Sequence, residues 1–311
     1  MEVVEMFEGR DIISIRDLSK KEIETILDKS EEMNEILQKG KPLETMKGKI
    51  MATLFFEPST RTRMSFSSAM HRLGGNVIDL GELMASSVAK GETLADTVRM
   101  AEKYSDVIVI RHPKEGIARF AAEISENPVI NGGDGANQHP TQTLIDLFSI
   151  RKFKEKIENL NITLLGDLKH ARVIKSLAYG LAVFGVNLTV VSPVGLELEK
   201  EIVDELKEKF GIKIIQTNDI YASIRNADVL YASRIQKERF VDPYEAEKMQ
   251  KAYKITPELL EQGKDGLIIM HALPRVDEID PRVDQTKFAK YFEEAAFGVP
   301  VRMAIIDLVV Q

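Results

Sequence analysis

Cysteine is absent from the 311 residues, which excludes disulfides, a thiol nucleophile, thiolate zinc sites and iron–sulfur clusters. Long apolar runs are missing too. None approaches the ~18–20 residues of a membrane-spanning helix, and even the C-terminal stretch AAFGVPVRMAIIDLVVQ carries Arg302 and Asp307. Positive charge is in deficit, 42 Lys and Arg against 49 Asp and Glu for a formal net charge of −7, which argues against a general nucleic-acid or membrane-surface binder. The acidic opening MEVVEMFEGRD has no apolar signal region. Also missing are a Walker A loop, a GxSxG elbow, a GxGxxG fingerprint in the second half, and HxH or HExxH spacing among the five histidines. The sequons at Asn161 and Asn187 fall in strand-like runs and are read as chance. These absences predict a soluble, cytosolic, globular protein without metal.

What is present is alternation. Short apolar runs at 49–56, 76–80, 106–111, 128–131, 161–167, 187–192, 212–217, 228–233 and 266–271 are separated by helical patterns. Several runs, such as Val107-Ile108-Val109-Ile110, are apolar on both faces, as parallel strands between helix layers should be. The fold class is therefore α/β with two domains, each a parallel sheet flanked by helices, and a small-molecule site in the cleft between them. The boundary is set at the long helical pattern from His139 to about Lys156, giving domains 1–150 and 151–285. A last helix, about 286–311, is expected to pack back on the first domain.

The chemistry gathers where runs end and helices begin. Ser59-Thr60-Arg61-Thr62-Arg63 follows the first run and precedes a helix expected over 64–73. A helix start offers unpaired N–H groups and positive potential, and hydroxyls and guanidiniums beside it suit an anion, phosphate above all. Plain N-capping by Ser59 with surface arginines is the competing reading. Ser86 to Thr93, with Lys90, is a polar loop that could deliver a point charge. Arg111 closes the run 106–111, at the strand end where parallel sheets bind ligands; His112, before Pro113, reads as structural. In Gly132 to Gln142, Pro140 suits the first helical position, placing His139 at the cap with Gln142 one turn on. A histidine there tends to the neutral form and can donate to a carbonyl oxygen; simple capping competes evenly. The second domain brings Arg172 to a helix start and Arg234 and Gln236 to a strand end, where each arginine could clamp a carboxylate. His271-Ala272-Leu273-Pro274-Arg275 follows the last strand. The first domain thus reads as built for a phosphate and a polarised carbonyl, the second for carboxylate.

These motifs in this order, FFEPSTRTR, SSVAKGETLADT, IRH, HPTQ, GDLKHAR, SRIQKERF and HALPRVDEID, resemble the aspartate/ornithine carbamoyltransferase family, its aspartate-using branch most closely. The resemblance covers essentially the whole chain. It implies transfer of the carbamoyl group of carbamoyl phosphate to the α-amine of L-aspartate, giving N-carbamoyl-L-aspartate and phosphate, the committed step of pyrimidine synthesis. It implies no metal and no organic cofactor. By position, Ser59, Thr60, Arg61, Thr62 and Arg111 would bind phosphate. Thr62, Arg111 and His139 would polarise the carbonyl, Gln142 would hold the carbamoyl NH₂, and backbone carbonyls near Leu273 and Pro274, joined by a cis peptide in the family, would accept from it. Arg172, Arg234 and Gln236 would bind aspartate. Ser86 and Lys90 match a loop that enters from a neighbouring subunit, which implies a homotrimer with shared sites. Glu57 matches a residue that pairs with arginines, here Arg172 and Arg239, when the domains close. The resemblance leaves room for a separate regulatory chain.

Ala272 departs from the family's usual His-Pro-Leu-Pro-Arg. Ornithine-using relatives carry His-Cys-Leu-Pro and an Asp-x-x-x-Ser-Met-Gly signature; neither is here, and Arg234-Ile235-Gln236 favours a dicarboxylate. An ornithine-type enzyme remains the nearest alternative reading, and a non-catalytic anion-binding protein of the same fold the alternative from another class.

Overall fold

The computed structural model describes residues 6–81, 91–235 and 243–310. The chain divides into two compact units, 1–148 with 297–311, and 149–296. In the first, α1 (Lys20–Gln38) opens with a reciprocal capping box between Ser19 and Glu22 and buries Ile23, Ile26 and Leu27. β1 (Ile50–Phe55), β2 (Asn76–Asp79), β3 (Val107–His112) and β4 (Val129–Asp134) then form a parallel sheet in the order β2-β1-β3-β4. The connections are α2 (Thr60–Arg72), α3 (Leu94–Tyr104) and α4 (Ile117–Ile124). The apolar run of β3 is accounted for by burial on both faces: Val107 through Ile110 are wholly inaccessible, with Val98, Ala118 and Ala121 in the cluster around Ile108 and Ile110.

The second unit repeats the logic. β5 (Asn161–Leu165), β6 (Asn187–Val191), β7 (Ile214–Thr217), β8 (Val229–Ala232) and β9 (Ile268–Met270) lie parallel in the order β7-β6-β5-β8-β9. Its helices include α6 (Arg172–Val183), α7 (Lys200–Phe210), α8 (Ile220–Ile224), α9 (Pro243–Ala252) and α10 (Pro257–Leu260). One core cluster joins Leu165, Leu230 and Ile269 of the sheet to Ile224, Leu260 and Tyr291. Two helices, α5 (Pro140–Lys154) and α11 (Tyr291–Val309), run across the division of the chain. Among the described residues no helix is long and apolar enough to cross a membrane.

Two helix starts differ from the sequence reading. α2 begins at Thr60, not Met64, so Arg61, Thr62 and Arg63 lie inside its first turn. α11 begins at Tyr291 rather than near Thr286. The Ile269 N–H donates to the Phe288 carbonyl at 2.8 Å, and the Lys290 N–H to the Ile269 carbonyl at 3.0 Å. The chain therefore lies extended beside β9 before it coils.

Each sheet reverses its strand order once, between β1 and β3 in the first unit and between β5 and β8 in the second. At such a point the connections leave to opposite faces and open a crevice at the strands' carboxyl ends. In the second unit that crevice needs a glycine. Gly166, just past β5, has φ +128°, and a Cβ there would stand 2.2 Å from the Ser233 carbonyl oxygen. Beyond β9, Arg275 forms a two-pronged ion pair with Asp284, donates to the Tyr291 hydroxyl at 3.0 Å, and stacks near the Tyr291 and Phe292 rings. These Arg275 hydrogen bonds hold the Asp284 carboxyl below its ordinary value against the opposing effect of burial.

Gly166→Ala is expected to destabilise the second unit by about 2 kcal/mol or more, since both the left-handed backbone and the clash oppose it. That is about 4–8 °C in the thermal midpoint, and an unchanged midpoint would refute the close approach. For Asp284, a depressed folded pKa means stability that is complete above the unfolded value and lost as pH falls through the folded one. Asp284→Asn should therefore lower stability at neutral pH and flatten the acid limb below pH 3.8, followed by circular dichroism; superimposable acid limbs would contradict the pairing.

Candidate active site

The candidate residues of the first unit are brought together by β1, β3 and the starts of α2 and α5. Register pairs Phe55 with Arg111, and the Phe56 N–H donates to the Arg111 carbonyl at 2.8 Å. This brings the Glu57–Arg61 turn beside the end of β3. Ser59 occupies the N-cap of α2 with extended backbone, yet its side chain makes no capping hydrogen bond. The N-terminal N–H groups of α2 and the Ser59 hydroxyl are thus left for an anion. Thr62 is buried, 7% exposed, whereas Thr60 and Arg61 are exposed. The second arginine of the motif is spoken for: Arg63 pairs with Asp79, which also accepts from the Thr53 hydroxyl at 2.5 Å. Of the two guanidiniums in the motif, Arg63 is the one held by a carboxylate.

Arg111 is fixed from two sides. It donates to the Gly132 carbonyl at 3.1 Å and pairs with Glu57 at 2.7 Å. Glu57, expected to act in domain closure, is therefore an ion-pair partner within its own unit. His112 accepts the Lys114 N–H at 3.0 Å on its Nδ1, and burial, then the Lys114 charge, push its pKa down. It is a structural residue, as the sequence implied.

His139 immediately precedes Pro140 and is 4% exposed; its carbonyl accepts the N–H groups of Gln142 and Thr143 at 3.0 and 3.1 Å. The turn that delivers it is tied by Asp134, whose carboxylate accepts from Asn131 at 2.9 Å and from the Gly116 and Gln138 N–H groups at 2.8 and 3.1 Å. One turn into α5, the Gln142 amide NH₂ donates to Asp146 at 2.8 Å.

Sequence reasoning missed Arg302. It is 3% exposed, with its guanidinium 4.8 Å from the Phe66 ring centroid and its Nη2 3.4 Å from the Thr141 hydroxyl. Burial, reinforced by the like charge of Arg111 and opposed by Asp146, pushes its pKa down to about 9. The available signal was a lone arginine in an apolar helical run.

The candidate residues of the second unit follow the ends of β5, β8 and β9. Asp167, wholly buried, accepts the His170 N–H at 3.0 Å and lies 3.1 Å from the His170 Nδ1. That closed turn sets Arg172 at the first position of α6. The Ser233 N–H donates to the Leu165 carbonyl at 2.7 Å, and Arg234 follows directly. Arg172 thus opens the helix that follows β5, and Arg234 lies two residues past the neighbouring strand β8. Leu273, φ 58°, is joined to Pro274 by a cis peptide. A leucine in the left-handed region costs roughly 1–2 kcal/mol, which its surroundings must offset. Ser86, Lys90, Gln236 and Arg239 lie outside the described residues. Among the described residues no group of three or more His, Asp or Glu is placed to hold a metal ion.

The two units thus present different residues at their strand ends and helix starts: Ser59, Thr60, Arg61 and Arg111 in one, Arg172 and Arg234 in the other. Comparison with known proteins accords with that division. The sequence model for the carbamoyl-P binding domain of aspartate/ornithine carbamoyltransferases matches residues 10–152, and that for the Asp/Orn binding domain matches residues 158–309. The aspartate carbamoyltransferase catalytic subunit of Thermococcus kodakarensis is 55% identical over 302 residues, 97% of each chain. The catalytic subunit of M. jannaschii aspartate transcarbamoylase superposes with a TM-score of 0.91 at 50% identity, covering 96% of this chain and 97% of that one. The Trypanosoma cruzi aspartate transcarbamoylase in complex with carbamoyl phosphate and aspartate superposes with a TM-score of 0.93 at 34% identity, covering 98% and 97%. With both domain models matched and relatives alike over nearly their full length, the chain belongs to the aspartate/ornithine carbamoyltransferase family.

Proposed function

We propose that the chain transfers the carbamoyl group of carbamoyl phosphate to the α-amine of L-aspartate, releasing N-carbamoyl-L-aspartate and phosphate. The observation that carries this reading is the pair of arginines, Arg172 and Arg234, at the switch point of the second sheet, matched by the helix-start anion site with Arg111 at the switch point of the first.

The amine lone pair attacks the carbamoyl carbon, negative charge gathers on the carbonyl oxygen, the carbon–oxygen bond to phosphate breaks, and the new amide nitrogen loses a proton. No protein nucleophile is required. Preorganised donors aimed at the developing charge are the main lever. Ser59, Thr60, Arg61, Thr62 and Arg111 hold the phosphate and stabilise it as it leaves. Thr62, Arg111 and His139 donate to the carbonyl oxygen. The Gln142 carbonyl, oriented by Asp146, accepts from the carbamoyl NH₂, together with the carbonyls of Leu273 and Pro274. Arg172, Arg234 and Gln236 clamp the two carboxylates of aspartate. Arg302 adds buried positive potential behind Arg111, and a bound dianion relieves the repulsion between those two guanidiniums.

The same reading makes the catalytic unit a cytoplasmic homotrimer, with Ser86 and Lys90 reaching a neighbour's site, and gives Glu57 and Arg239 the task of stabilising the closed form. A separate regulatory chain is compatible with it.

Purified protein should release phosphate from carbamoyl phosphate when L-aspartate is added, with equimolar carbamoyl-aspartate, and not with L-ornithine; ornithine-dependent release would overturn the dicarboxylate assignment. His139→Ala or Arg61→Ala should lower kcat by about 10²–10³, the usual effect of removing one such donor, as read by steady-state kinetics. Arg234→Ala should raise the aspartate KM by about a hundredfold, since a charge-assisted pair is lost. Carbamoyl phosphate binding, measured by calorimetry, should stay within a few-fold of wild type. Wild-type aspartate kinetics in that variant would remove Arg234 from the site.

A further inference from the structure

The loop from His271 to Glu278 is closed by a buried pair that no step above uses. His271 and Glu278 are 4% and 6% exposed. The His271 Nδ1 accepts the N–H of Leu273 at 2.8 Å, so that nitrogen carries no proton and the ring proton sits on Nε2. Nε2 faces the Glu278 Oε1 at 2.8 Å, an ion-pair distance without the angle of a well-aligned hydrogen bond. The other oxygen of Glu278 accepts the N–H groups of Val276 and Asp277, each at 3.0 Å. Glu278 is itself anchored, its carbonyl accepting the Ile255 N–H at 2.8 Å. From the far side, the His271 N–H donates to the Glu294 carboxylate at 2.9 Å. The imidazole is thus gripped at both nitrogens, and what it grips in turn is the backbone of Leu273, the residue with a left-handed φ of 58°.

We infer that His271 and Glu278 are positioning residues for the carbamoyl-transfer reaction: Glu278 holds His271 as the Nε2-protonated tautomer, and the free Nδ1 fixes the Leu273 peptide so that its carbonyl is aimed at the carbamoyl NH₂. This rests on the function proposed above, which assigns that acceptor role to Leu273. Neither side chain touches the reacting atoms. Their contribution is geometric: if Nδ1 is protonated, two N–H groups oppose each other, the Leu273 N–H loses its acceptor, and the carbonyl on the same residue turns. Burial pushes the Glu278 carboxyl up, but the facing His271 imidazole and the backbone N–H donors outweigh this and keep it below its ordinary value. An ionised carboxylate therefore faces Nε2 at neutral pH.

The test is a series at His271 read by kinetics, unfolding and NMR. Asparagine can offer its side-chain oxygen to the N–H two residues on, as Nδ1 does, whereas glutamine mimics Nε2 instead. His271→Asn should keep the carbamoyl phosphate KM within about threefold of wild type, and His271→Gln and His271→Ala should raise it about tenfold or more, as expected when a buried donor is left without its acceptor. The aspartate KM should change less than that for carbamoyl phosphate in all of them. Imidazole nitrogen-15 shifts of the substrate-free wild-type protein should report protonated Nε2 and unprotonated Nδ1. Glutamine rescuing as well as asparagine, or an Nδ1-protonated ring, would overturn the inference. So would KM losses that simply follow each variant's thermal midpoint. Absence of wild-type turnover would instead strike the function proposed above, and the nitrogen shifts read the His271 geometry independently of it.

Discussion

The function proposed for this protein depends on one constraint of parallel sheets. Strands running the same way must be joined by crossover connections, and where the strand order reverses those connections part. The carboxyl ends of two strands and the start of a helix are left facing an open crevice. Here that happens between β1 and β3 and again between β5 and β8. The backbone at such a place already favours negative charge. Guanidiniums added there are held on rigid elements and lose little further freedom when a ligand arrives.

Gathering cations in that way is costly before a substrate binds, and the first unit shows how the cost is contained. Arg111 is steadied by Glu57 and the Gly132 carbonyl, Arg63 by Asp79, and Arg302 by the Phe66 ring, the Gly298 carbonyl and Thr141. Arg302 is still protonated at neutral pH with a pKa of about 9. On the function proposed above, the donors of that site are in place before charge develops. In the second unit closed turns stand at the matching places, Asp167 with His170 just before Arg172 and Glu278 with His271 around Leu273.

The two-sheet α/β architecture was legible because buried central strands such as β3 read as continuous apolar runs, and the nine short runs coincide with the nine strands among the described residues, the more exposed edges β2 and β7 included. Helix boundaries were less so. Ser-Thr-Arg-Thr-Arg looks like loop by polarity, yet it forms the first turn of α2, whose exposed N-terminal face calls for polar side chains. The extended stretch before α11 is set by pairing with β9, which a local pattern cannot reveal. Arg61, Arg111, His139, Arg172 and Arg234 stood out as polar residues where apolar runs end and helical patterns begin. The partnerships that orient them did not, since Glu57 meets Arg111 and Arg302 meets Thr141 across long stretches of chain. Arg63 looked equivalent to Arg61 in composition and is distinguished from it only by Asp79.

The central claim is a division of labour, phosphate chemistry at one sheet's switch point and dicarboxylate binding at the other's. The most direct measurement is a crystal structure with carbamoyl phosphate and succinate, a dicarboxylate lacking the attacking amine. The account requires phosphate at the start of α2 within hydrogen-bonding distance of Arg61 and Arg111, and succinate carboxylates on Arg172 and Arg234. Succinate bound elsewhere, or phosphate held by the second unit's arginines, would contradict it.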